Sequence, residues 1–199
     1  MVATNNPDKF AEIQEILQGS EWQVYSLSKF NSYPPPIEDG SDLKENALIK
    51  ARAGYRHTGL LTISDDTGLE VDALDGKPGV FSARYAGEDA TYESNLQKVL
   101  HDLNAIPNAI RTARFRTAMA LVGTDIERSW EGVCEGEITT KPLAESGFGY
   151  DPIFWSTALE KTFSEATPEE KNKVSHRGKA LRKLISFLNN ALIPDQVKL

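Results

Sequence analysis

The stretch ARFRTAMALVGTDIERSWEGVCEGEI, Ala113 to Ile138, decides the fold. Ala113, Phe115, Thr117, Met119 and Leu121 alternate with Arg114 and Arg116 in its first half, the period of a strand with one face turned inward. After the turn Gly123-Thr124-Asp125, the even positions Ile126, Trp130, Cys134 and Ile138 alternate with Glu127, Glu131, Glu135 and Glu137. A long antiparallel hairpin with one charged face is predicted. Shorter apolar runs at Trp22 to Leu27 and Leu61 to Ser64 are strand candidates, as is the segment before Asn5. Helical spacing separates them: Phe10, Ile13, Ile16 and Leu17 after Asp8 with Gly19 as a stop, and Leu43, Ala47 and Ala51 within 42–57. Tyr92, Leu96, Val99, Leu100 and Leu103 form a third stripe, and Ala180, Leu181, Leu184, Ile185 and Leu188 a last one, with Ser175 as its N-cap. Strands linked through helices beside a hairpin give an α/β fold, helices packed on an elongated mixed sheet.

The chain of 199 residues is read as one domain over 1–199, with no internal repeat and only one Pro-rich loop, Tyr33 to Gly40. Hydrophobic residues at 40% and charged residues at 26% suffice for a core and exclude a disordered or collagen-like chain. A net charge of -7 and a pI near 5.1 argue against a nucleic-acid or membrane partner, so an anionic ligand needs a local basic pocket or a metal. The polar run after Met1-Val2 and the lack of a long apolar run lead us to expect a cytoplasmic protein. The lone Cys134 reads as a small buried hydrophobe.

Several segments carry candidate chemistry. In Val2-Ala3-Thr4-Asn5-Asn6-Pro7-Asp8-Lys9 a strand runs through a loop into a helix, where free N–H groups, a hydroxyl, an amide and a lysine suit a phosphate. Taken alone, the segment reads first as Asn6 and Asp8 capping the helix. Asp65 and Asp66 close an apolar strand in Ile63-Ser64-Asp65-Asp66-Thr67-Gly68-Leu69, a place for Mg²⁺ ligands or for a polar turn. Glu38, Glu45 and Glu70 are further acidic candidates that local spacing does not rank. Gly147-Phe148-Gly149-Tyr150-Asp151-Pro152 offers rings on which a planar base could stack, or a core plug. Lys171 and Ser175-His176-Arg177-Gly178 set cations at a helix start, against the macrodipole, which calls for an anionic or accepting partner. Arg84, in Ser82-Ala83-Arg84-Tyr85, could reach a phosphate or a surface carboxylate.

Together these segments resemble the inosine triphosphate pyrophosphatase family, in its bacterial branch. The likeness spans Thr4-x-Asn6-x-x-Lys9, Glu45-Asn46-Ala47-x-x-Lys50-Ala51-Arg52, Asp65-Asp66-Thr67-Gly68-Leu69, Pro78-Gly79 with Ser82-Ala83-Arg84-Tyr85, Gly147 to Pro152 and Ser175 to Gly178, in that order. It implies hydrolysis of aberrant purine nucleoside triphosphates such as those of inosine, deoxyinosine and xanthosine to monophosphate and pyrophosphate. It also implies a homodimer and two lobes with a central active-site cleft. Carried over by position, Thr4, Asn6, Lys9 and Lys50 would hold the triphosphate with Thr67 and Arg84 beside them. Glu38 and Asp66 would bind Mg²⁺, with Asp66 also the base for the attacking water. Phe148, Gly149, Tyr150 and Asp151 with Lys171, His176 and Arg177 would form the base pocket. Rival readings are a nucleotide-binding module without turnover, a pyrophosphatase for pyrimidine or modified nucleotides, and a phosphatase releasing orthophosphate.

Overall fold

A computed structural model describes residues 1–30, 33–144 and 146–191. Five helices and five strands are named here in chain order: α1 (Pro7–Leu17), α2 (Leu43–Thr58), β1 (Thr62–Val71), α3 (Tyr92–Asn104), β2 (Thr112–Gly123), β3 (Ile126–Ile138), β4 (Phe154–Ser156), β5 (Lys161–Thr162), α4 (Pro168–Val174) and α5 (His176–Ala191). Short 3₁₀ turns fill several connections, among them Gly79–Arg84. The sheet has the order β1-β2-β3-β4-β5. β4 pairs antiparallel with both β3 and β5, in register at Glu137 opposite Trp155 and Trp155 opposite Thr162.

Helix boundaries follow local chemistry. Asn6 Oδ1 accepts from the N–H groups of Asp8 and Lys9 at 2.9 and 3.2 Å, and Pro7 opens α1 where no N–H is needed. Asp42 caps α2, and Gly59 ends it in the left-handed region at φ 68. Thr91 with Ser94 and Thr167 with Glu170 form reciprocal capping boxes on α3 and α4. Ser175 ends α4 as its C-cap, directly before α5.

The hairpin forms as the alternation predicts, through Thr124-Asp125, with Asp125 in the left-handed region at φ 59. Glu135 and Glu137 are exposed, whereas Cys134, Gly136 and Ile138 are buried. Across the charged face, Arg114 bonds Asp72 and Glu135 at 2.9 and 3.1 Å, and Arg116 bonds Glu70 at 3.0 Å. Alternation stops at Thr117, because Ala118 to Val122 are all buried. A strand covered on both faces reads as a continuous apolar run.

Three expectations change. The N-terminal strand is reduced to Val2, which makes isolated parallel bridges to Ser26 and Ile63, and Trp22 to Leu27 forms no longer strand than that. These parallel bridges beside antiparallel ladders make the pairing mixed, as expected. Asp65-Asp66-Thr67-Gly68 is not a turn: β1 runs through it to Val71.

The chain divides into two compact units. The first comprises Met1–Asp66, Ala118–Gly132 and Arg177–Leu199, and the second Thr67–Thr117 and Val133–His176. Each has its own core. In the first, Val2, Ile13, Leu17, Ile63, Met119, Leu121, Ala180, Leu181, Leu184 and Leu188 are buried together. In the second, Leu69, Val71, Leu96, Val99, Leu103 and Phe115 pack with Ile138, Tyr150, Ile153, Phe154 and Phe163. Cys134 is buried there too, as its reading as a hydrophobe predicts. Among the described residues, no helix is long and apolar enough to cross a membrane.

Candidate active site

In the first unit, adjacent residues of β1 point to opposite faces, which separates the two aspartates. Ser64 donates to the Ala47 carbonyl of α2, and Asp66, two residues on, meets Asn46 and Lys50 of the same helix. Ile63 packs with residues of α1 and α5, and Asp65, two residues on, meets Lys9 of α1 and Arg177 of α5. The two carboxylates therefore sit in different charge environments.

On the α2 side, Lys50 Nζ lies 2.6 Å from Asp66 Oδ1 and 3.0 Å from Glu38 Oε2, bridging both carboxylates. Asn46, one turn earlier on α2, donates to Asp66 Oδ2 at 3.4 Å and accepts from the Gly40 N–H at 2.8 Å, fixing the loop that carries Glu38. Burial favours the neutral amine of Lys50, but the Asp66, Glu38 and Asp65 carboxylates outweigh it and hold its pKa above the ordinary value. Structure thus ranks the acidic candidates. Glu45 accepts from the Ser41 N–H at 2.8 Å beside the α2 cap, and Glu70 belongs to the arginine ladder of the sheet.

On the α1–α5 side, Arg177 is the largest fully buried side chain among the described residues, and its Nε and Nη2 each donate to Asp65 Oδ2 at 3.1 Å. Its Nη1 donates to Glu12, and Lys9 Nζ stands 3.2 Å from the same Asp65 oxygen. Burial alone would raise the Asp65 pKa, yet the cations of Lys9, Arg177 and Lys50 hold it far below the usual carboxylate range. Burial lowers the Lys9 pKa, with Asp65 opposing it. Thr4 Oγ1 accepts from the Asn6 N–H at 3.2 Å, so Thr4 and Asn6 together shape the entry to α1.

In the second unit, Gly147 and Gly149 adopt φ 84 and φ 63, conformations open to glycine, and fold the chain around Asp151. Asp151 accepts from the Phe148 N–H at 3.1 Å and from Lys171 Nζ at 2.6 Å. That ammonium lies 4.5 Å from the centroid of the Phe148 ring and 5.3 Å from that of Phe163. His176 is buried and stacks on Phe115, with centroids 4.6 Å apart and planes 18° from parallel. Tyr150 is a core residue whose hydroxyl donates to the Ser82 carbonyl at 2.8 Å, so here the core-plug reading holds, while Phe148 stays partly exposed. Thr67 shares a hydroxyl contact with Thr117. Arg84 lies over the Phe81 ring at 5.3 Å and 4.0 Å from Glu88, a surface setting.

The expected residues thus fall into two sets: Lys9, Lys50, Glu38, Asp66 and Arg177 in the first unit, and Phe148, Asp151, Lys171 and His176 in the second. Arg177, expected in the base pocket, has its guanidinium on Asp65 and Glu12 instead. Sequence reading missed Asn46, Glu12 and the hub role of Asp65. Glu12 follows Lys9 by three residues and Asn46 precedes Lys50 by four, the helical spacings that share a face.

The model of the Ham1 family matches residues 1–187. The chain belongs to the Ham1 family. Curated relatives of this Ham1 protein include the dITP/XTP pyrophosphatase of Halalkalibacterium halodurans, 47% identical over 95% of this chain and 98% of that one. The dITP/XTP pyrophosphatase of Bacillus subtilis is 44% identical over 94% of this chain and 96% of that one. Among solved structures, a HAM1 protein from Coxiella burnetii superposes with a TM-score of 0.86 at 43% identity, covering 96% of this chain and 98% of that one.

The acidic set of this Ham1 protein fits a divalent cation in its chemistry. Mg²⁺ takes oxygen ligands and is held through one or two carboxylates together with substrate phosphates. Glu38 and Asp66 offer two carboxylates converging on one positive charge. Among the described residues, no group of three or more His, Cys, Asp or Glu side chains gathers to hold an ion by itself.

Proposed function

We propose that this protein, as one domain over 1–199, hydrolyses the triphosphates of inosine, deoxyinosine and xanthosine to monophosphate and pyrophosphate, clearing aberrant purines from the nucleotide pool. The observation that carries the reading is the Glu38–Lys50–Asp66 bridge beside the Lys9–Asp65–Arg177 network. Cations and carboxylates interleaved in this way suit an anionic polyphosphate that arrives with a metal. The dITP/XTP pyrophosphatase relatives, similar over almost the whole chain, support the substrate class. We further propose Mg²⁺ as the metal, a homodimer as the assembly and the cytoplasm as the location.

Glu38 and Asp66 would hold the metal, which when bound would neutralise phosphate charge and make water more acidic. Lys9 and Lys50 are the ammonium groups for the polyphosphate, at the N-terminal side of α1 and on α2. As pyrophosphate departs, charge grows on its oxygens, and ammonium groups already in place stabilise that charge most. Asp66, held by Asn46 and Lys50, takes the proton of the attacking water. Asp65 fixes Lys9 and Arg177. Thr4, Asn6, Thr67 and Arg84 are assigned a supporting role toward phosphate.

The second unit carries the chemistry for a base. The Phe148 ring can stack on a purine, and Lys171, His176 and backbone N–H groups beside Gly149, Tyr150 and Asp151 can donate to a 6-keto oxygen. A 6-amino group would set donor against donor, at a cost of about 1–3 kcal/mol, or roughly ten- to a hundredfold in selectivity. Base readout by Arg177 requires its guanidinium to leave Glu12 or Asp65.

The test is product analysis with purified protein, Mg²⁺ and matched inosine, xanthosine, guanosine and adenosine triphosphates. Pyrophosphate should be released from the first two, and Asp66→Asn should abolish turnover while nucleotide binding persists. Orthophosphate as product, or near wild-type turnover in that variant, overturns the proposal.

A further inference from the structure

The position of Lys50 has a consequence for how a metal enters. Its ammonium touches both carboxylates assigned to the metal, at 2.6 and 3.0 Å, and its side chain is only 12% exposed. The carboxylates keep other anchors. Asp66 is bonded to Asn46, and the loop of Glu38 is tied to α2 through Gly40 and Asn46. The pair would therefore stay in place if Lys50 moved. An ammonium and a divalent cation repel one another at such range, so the two compete for the same oxygens. Lysine suits this competition, being a point charge on a flexible four-carbon stem rather than a rigid fork.

We propose that Lys50 is a tethered counter-ion of Glu38 and Asp66, which a divalent cation must displace before it can bind this carboxylate pair. The inference rests on the assignment of these residues given above. Metal alone then binds weakly, since each ion that enters must expel a charge already seated. The expelled ammonium becomes available to a phosphate. By linkage, whatever anion draws Lys50 away strengthens metal binding by the same factor as the metal strengthens anion binding.

The experiment is titration of the full chain with Mn²⁺ alone, free ion being followed by electron paramagnetic resonance, without nucleotide. Lys50→Met should bind Mn²⁺ roughly tenfold or more tightly than the wild type, because two carboxylates lose their resident cation. Lys50→Gln gives a second neutral variant should Lys50→Met fail to fold, as judged by circular dichroism. Lys50→Arg, which keeps the charge, should stay near the wild type, and Asp66→Asn added to Lys50→Met should abolish the gain. Neutral variants that bind Mn²⁺ no more tightly than the wild type overturn the proposal, as does an arginine variant that binds as tightly as they do. Wild-type product analysis judges the hydrolase reading separately, so failure of either idea is visible without the other.

Discussion

Replacing Asp151 by Asn should destabilise the second unit far more than a surface change. The carboxylate and the Lys171 ammonium are 2.6 Å apart with side chains only 4% and 9% exposed. Asparagine can still accept from the Phe148 N–H, so the substitution removes charge with little change of shape. It takes the counter-charge from a buried ammonium that also lies beside the Phe148 and Phe163 rings, whose attraction is worth about 0.5–2 kcal/mol. Breaking one side of a buried pair costs about 3–5 kcal/mol. For a chain of this size that corresponds to a melting point roughly 6–20 °C lower, at about 2–4 °C per kcal/mol. Lys171→Met should cost a similar amount, by taking the counter-charge from the Asp151 carboxylate. The double variant buries no charge and should lose much less than the sum, leaving a coupling energy of about 1.5 kcal/mol or more. Urea unfolding followed by tryptophan fluorescence, to which Trp155 in β4 of the same unit contributes, measures all three. If the two losses add to within about 0.5 kcal/mol, the pair does not act as a unit and the reasoning fails.

Gly68→Ala should cost about 1–3 kcal/mol, because the new Cβ would stand 2.6 Å from the Gly79 carbonyl oxygen, a backbone atom that no rotamer change can move. A melting temperature equal to the wild type would contradict that close approach. Asp65, with its pKa held below the ordinary 3.8, contributes stability that is complete above the unfolded value and declines as pH falls towards the folded one. Asp65→Asn should thus flatten the dependence of the urea midpoint on pH between about 5 and 2, and an unchanged slope would exclude Asp65 as the titrating group. Thr91→Ala removes the α3 cap and should cost about 1 kcal/mol by thermal unfolding, against near-zero for Thr91→Ser, which retains the hydroxyl.

Features encoded over a few residues were legible in the sequence. Asn6-Pro7, Asp42 with Gly59, and Thr91 with Ser94 mark helix ends through bonds between near neighbours, and the Arg–Glu alternation marks the hairpin. What stayed hidden depends on distant partners. Ala118 to Val122 lose their alternation because both faces of β2 are covered there, and β1 swallows the Asp65-Asp66 pair for the same reason. The misfit of Arg177 at a helix start was visible, and an anionic partner follows from it. The partners prove to be carboxylates of the chain itself, 112 and 165 residues away. Tyr150 illustrates the converse: its motif suggests a ligand surface, but its ring completes the core.

The back-to-back placement of Asp65 and Asp66 makes the protein's chemistry hostage to parity. Slipping β1 by a single residue would turn both aspartates to the opposite face: with Asp66 in the place of Asp65 beside Arg177, Asp65 would take that of Ser64 against Ala47, and no carboxylate would stand at the Asp66 position beside Lys50. An odd-numbered insertion within this strand should therefore silence the enzyme even where folding survives, whereas length changes in the loops before Thr62 or after Val71 leave the order of the two acids untouched.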